Sequence, residues 1–159
     1  MNGEDLKQLL RGTFDSRVFN HGDFNLVYGQ PSGTGDAWII GYRWQPLELL
    51  LCPVDLPAVA AQEVAAPPET PPEGVIYSID LSNVATVADT GTGYQVETVT
   101  GFRTWFEVTD SPTMPVTEGP DAIGLAQAED AEDFHQFMSH FMDVLESYYT
   151  DRTHPDRND

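Results

Sequence analysis

Positive charge is scarce in this sequence. Its 159 residues hold seven Lys and Arg against 26 Asp and Glu, and Lys7 is the sole lysine. The resulting formal charge of −19 argues against nucleic acid and anionic lipid as direct partners, because phosphate and acidic headgroups would be repelled. Cysteine is almost absent as well. Cys52 stands alone, so no intramolecular disulfide can form. Its place in the apolar run Leu49-Leu50-Leu51-Cys52 reads as an inert buried thiol. No apolar run is long enough to span a bilayer. Met1 is followed by polar Asn2-Gly3-Glu4-Asp5 rather than by the apolar segment of a signal peptide. A cytoplasmic protein is the expectation, with no membrane or phosphoinositide contact.

Catalytic and cofactor signatures are missing too. Ser32 lies between Pro31 and Gly33, outside any glycine-flanked nucleophile elbow. Gly33-Thr34-Gly35 and Gly91-Thr92-Gly93 are too short for a dinucleotide or phosphate loop. His21-Gly22-Asp23 offers a loop base with no partner nucleophile in sight. His135 and His140 are five residues apart, so on one helix they diverge by about 140° and cannot share a metal. The run Glu129-Asp130-Ala131-Glu132-Asp133 lacks the ligand ladder and the glycine of a calcium loop. No cofactor, metal or catalytic residue is assigned, and a non-enzymatic protein is expected.

What the chain does have is a packed-protein composition, 40% hydrophobic with 17 aromatic residues, in a length that suits one domain over 1–159. Its clearest element is an amphipathic helix. Phe134, Phe137, Met138, Phe141, Leu145, Tyr148 and Tyr149 follow a 3.6-residue period, opposite Gln136, Ser139, Asp143, Glu146 and Ser147. Glu129, Asp130, Glu132 and Asp133 crowd its start, where negative charge suits the helix dipole. The apolar stripe reads as a helix lid on a sheet, and residues 150–159 as a flexible polar tail. A short helix is expected over Glu4–Leu10, ended by Gly12, with Asp15–Asp23 as a loop.

Seven strands are expected between these helices: Phe24–Tyr28, Trp38–Trp44, Leu47–Cys52, Val75–Leu81, Val84–Val87, Tyr94–Thr100 and Arg103–Val108. Gln30–Asp36, Gln45-Pro46, Asp89–Gly93 and Thr100-Gly101-Phe102 read as turns, and Asp110–Pro120 as a proline-rich loop. Residues 57–74 hold five prolines and read as a long surface loop, with two helical turns conceivable over Ala58–Ala66. Trp38, Ile40, Tyr42 and Trp44 share one strand face, and Ile39 and Arg43 the other. Trp105, flanked by Arg103 and Glu107 on the face opposite Thr104 and Phe106, reads as half-exposed. It is the best anchor for a partner.

The order of seven strands and a closing helix resembles pleckstrin-homology-like and GRAM-like domains. The blocks Ile79–Val87, Tyr94–Thr98 and Thr104–Val108 resemble the fifth-to-seventh-strand region of that superfamily. The likeness covers roughly residues 24–149 and implies an α+β fold, a split antiparallel barrel closed by a C-terminal helix. Lipid-binding members carry bases in the loop between the first two strands. Here Gly29–Asp36 has none, so the resemblance implies a protein-binding scaffold instead. The small α/β fold of secretion chaperones fits the same order of elements if Ala58–Ala66 is helical.

The functional expectation is therefore an interaction module for a protein with a basic surface, through Trp105, Arg103, Glu107 and the acids Glu129, Asp130, Glu132 and Asp133. Alternatives are a secretion-chaperone-like protein, an inhibitor mimicking nucleic acid by charge, or a ligand binder or enzyme using the barrel interior. The oligomeric state is left open, a homodimer included.

Overall fold

Asn2 begins the first helix, α1 (Gly3–Arg17), through a reciprocal capping box with Asp5: each side chain accepts from the other's backbone N–H. The protein is described here from a computed structural model covering residues 2–18, 24–31, 37–54, 76–115 and 122–153. Gly12 does not end α1, contrary to expectation. Leu6, Leu10 and Phe14 form one buried stripe, and burying Phe14 is worth about 2–3 kcal/mol against about 1 for a mid-helix glycine. Asp15–Arg17, expected in a loop, are consequently helical.

Among the described residues nine strands follow: β1 (Asn25–Pro31), β2 (Ala37–Trp44), β3 (Leu47–Val54), β4 (Tyr77–Ile79), β5 (Val84–Asp89), β6 (Tyr94–Thr98), β7 (Arg103–Glu107), β8 (Thr113–Pro115) and β9 (Ala122–Gly124). The chain then enters α2 (Ala128–Thr153). The first seven strands lie at the expected places in the chain, but β4 and β6 are shorter than expected: Leu81, Val99 and Thr100 are turn, and Val75 lies outside the described residues. Gln30 and Pro31, read as turn, extend β1 instead. The pair β8–β9 was missed, because prolines around Asp110–Pro120 masked a three-residue strand centred on buried Met114. Thr150–Thr153, assigned to the tail, belong to α2. The proline-rich segment 57–74, the stretches 19–23 and 32–36, and the tail beyond Thr153 lie outside the described residues.

All pairings are antiparallel, and the seven-stranded sheet runs β4-β3-β2-β1-β7-β6-β5. Its two edge strands are consecutive in the chain, joined by residues 80–83 alone. A flat seven-stranded sheet would hold its edges about 29 Å apart, whereas that connection reaches at most about 19 Å. The sheet must therefore curl. Side chains meet across the seam, with the Tyr77 and Phe102 rings stacked at 3.7 Å. No ladder between β4 and β5 occurs among the described residues, so the curl is not a hydrogen-bonded closed barrel.

The curl separates two cores. On the inner face Val27, Ile40, Tyr42, Leu49, Ile79, Val96 and Phe106 pack against Phe134, Phe137, Met138 and Phe141 of α2. Trp38 and Trp44 lie on the same side, as the alternation of β2 requires. On the outer face α1 covers Leu26, Tyr28, Ile39, Leu50 and Cys52, together with Met114 and Leu125. Arg43 also points outward, stacked 4.7 Å over the Phe24 ring. Tyr148, read as part of the apolar stripe, is 38% exposed. The side chain of Tyr149 lies outside what is described.

Candidate functional site

The solvent side of α2 carries the polar residues that its period leaves over once the apolar stripe is buried. Glu129, Glu132, Gln136, Ser139 and Asp143 line an open hollow of about 820 Å³, with Asp110 from the loop before β8. His135 and His140 complete its wall, and among the described residues neither a lysine nor an arginine lines it. The four carboxylates are exposed, and their field adds over the hollow.

The two histidines leave opposite flanks of the helix, as their spacing requires. His135 turns toward β6, where its Nδ1 lies 2.7 Å from the Tyr94 hydroxyl. Burial, then the charge of Asp89, pushes the Tyr94 phenol up to about 12. Tyr94 is therefore a neutral phenol at ordinary pH and fixes the imidazole's orientation. His140 turns toward β2, its ring 5.4 Å from that of Trp44, which is 39% exposed. A second hollow of about 360 Å³ adjoins the first at His135 and Ser139 and is walled by the β5–β6 turn at Asp89–Gly93. Ser139 and His135 share no hydrogen bond, so they do not form the nucleophile–base contact that acyl transfer needs.

The acids at the start of α2 separate into two roles. Glu129 and Glu132 face the hollow. Asp133 turns inward and accepts a 2.7 Å hydrogen bond from Tyr42, while the Asp130 carbonyl oxygen lies 3.5 Å from the same hydroxyl. Burial of Tyr42 and its bond to Asp133 hold the phenol well above the ordinary tyrosine range. Asp133 thus anchors the helix rather than offering its charge to a partner.

Arg103, Trp105 and Glu107 occupy the outer face of β7, with Phe106 between them buried against α2. The sheet therefore lies between these three residues and the acids of α2, and the expected partner residues form two surfaces. Trp105 is 42% exposed and donates from Nε1 to Gln95 at 3.1 Å. The Arg103 guanidinium stands 5.2 Å from its ring.

Asp110 was not legible, because only the fold brings that loop beside α2. Gln136, Ser139 and Asp143 were legible as the polar stripe of the helix. Among the described residues no three His, Cys, Asp or Glu side chains converge as a metal site, and no helix is long and apolar enough to cross a membrane. No protein-family model, curated protein or solved structure matches the chain.

Proposed function

We propose that this protein is a non-enzymatic interaction module that docks a basic protein segment on the acidic hollow of α2. One observation carries the reading: four exposed carboxylates line a single hollow in which no lysine or arginine stands among the described residues. The buried stripe supports it, since Phe134, Phe137 and Phe141 fix the helix against the sheet and present its acids on a rigid element. Two antiparallel meanders followed by a closing helix support a pleckstrin-homology-like scaffold for this role. The helix α1 on the outer sheet face is an addition to it.

A labelled oligo-lysine peptide tests the reading by fluorescence anisotropy, with an oligo-glutamate peptide as control. Binding of the basic peptide alone is expected, weakened steeply by salt because exposed charges are screened within about 10 Å at 0.1 M. The triple variant Glu129→Gln, Glu132→Gln, Asp143→Asn should bind at least about tenfold more weakly. Unchanged binding by that variant would overturn the site. Competition by duplex DNA for a DNA-binding partner would instead favour charge mimicry.

A further inference from the structure

Among the described residues, the outer face of the sheet is covered on one half only. The core beneath α1 draws on β1, β2 and β3 and takes no residue from β5, β6 or β7. On that bare half, β7 presents Arg103, Trp105 and Glu107 at successive outward positions. Gln95 lies opposite Trp105 on β6, and Ala88 lies opposite Gln95 on β5. The centre of the patch is thus an exposed indole, with Gln95 and Ala88 beside it across the strands and Arg103, Glu97 and Glu107 around it.

We infer that this face pairs with a second copy of the chain about a two-fold axis through Trp105. The strand carries a cation two residues before the indole and an anion two residues after it. Turned over on itself, such a strand sets Arg103 against Glu107 of the second copy, twice, with the two Trp105 side chains flanking the axis. A two-fold interface must be self-complementary in this way.

Arg103 is one of only seven bases and forms no ion pair among the described residues, although Glu97 is its cross-strand neighbour. Its guanidinium lies over the indole, which leaves its outward donors open to a carboxylate arriving from above. Face-to-face packing of two sheets is a standard geometry, with side chains filling a layer about 10 Å thick.

The footprint is small. Three strands of five residues cover about 14 by 17 Å, or roughly 240 Å². Stable complexes bury about 800 Å² per partner. The dimer should therefore be transient, with a dissociation constant on the order of 100 μM.

Sedimentation equilibrium of the full chain over a concentration range spanning that value tests the inference. The expected result is a reversible monomer–dimer equilibrium that Trp105→Ala abolishes. Arg103→Glu alone, or Glu107→Arg alone, sets like charges against each other and should weaken dimerisation at least about tenfold. The double variant Arg103→Glu, Glu107→Arg restores opposite charges and should restore it. A monomer at every concentration would overturn the inference. So would a dimer indifferent to Trp105→Ala, or a double variant no better than the singles. All three side-chain changes sit on the outer face of β7, and circular dichroism confirms that each variant is folded.

Discussion

Gln127, the residue before α2, is 2% exposed and does the work of a missing strand. Where the β1–β7 ladder ends at Gln30, its side-chain amide takes over one register further back. It accepts from the Tyr28 N–H at 2.9 Å and donates to the Tyr28 and Thr109 carbonyls at 3.0 and 2.8 Å. Gln127→Ala leaves the two buried Tyr28 backbone groups and the half-buried Thr109 carbonyl without this partner and should lower the unfolding free energy by about 2–3 kcal/mol in urea titration. Nothing in the sequence marked this glutamine, because its partners are 99 and 18 residues away. Cys52 was legible, since its apolar strand put it in the core. Burial pushes its thiol from 9.0 up to about 11, and burial likewise pushes Tyr28 from 10.0 up to about 12. With Tyr94, also raised to about 12, these groups hold their protons more tightly folded than unfolded. Their stabilisation is whole below the unfolded values of 9.0 and 10.0 and is lost as pH rises through about 11 and 12. The urea midpoint should fall steadily above pH 9.0, the ordinary thiol value. A flat midpoint there would contradict the burial of these groups.

At the scale of elements, α1 offers two glycine substitutions with opposite expected signs. Gly12 is helical and a Cβ there would touch nothing within 4 Å, so Gly12→Ala should stabilise the protein by about 0.5–1 kcal/mol. Gly41 faces α1 from β2, and a Cβ there would lie 2.7 Å from the Phe14 ring. Gly41→Ala must push the helix off the sheet and should destabilise by about 1–3 kcal/mol. Thermal denaturation of both variants checks the pair, and two shifts of the same sign would contradict this packing. The contrast also explains what sequence reasoning could see. A glycine in an apolar-periodic segment resembles a stop signal, and only its surroundings in the fold show that Gly12 is tolerated. The strands were legible because alternation is a local property. The short pair β8–β9 was not, because its stability comes from Met114 and Leu125 beneath α1 rather than from its own composition.

For the whole molecule, the distribution of charge matters more than its sum. Two tryptophans are exposed on different faces, Trp44 beside the hollow of α2 and Trp105 on the opposite side of the sheet. Around Trp105 cation and anion alternate along one strand. Along the hollow acids stand without bases. The net charge was legible from composition, whereas this division was not, since it depends on which face of the curled sheet each helix covers. The two surfaces should respond differently to salt: contact between the hollow and a basic segment weakens with ionic strength, while repulsion between two acidic copies is screened. The most direct measurement is a titration of isotope-labelled protein with an oligo-lysine peptide, followed by backbone amide chemical shifts. The expected result is perturbation concentrated at Asp110 and along α2 from Glu129 to Asp143, with Arg103, Trp105 and Glu107 unmoved. Shifts centred on β7, or none along α2 at saturating peptide, would contradict the docking of a basic segment on the helix.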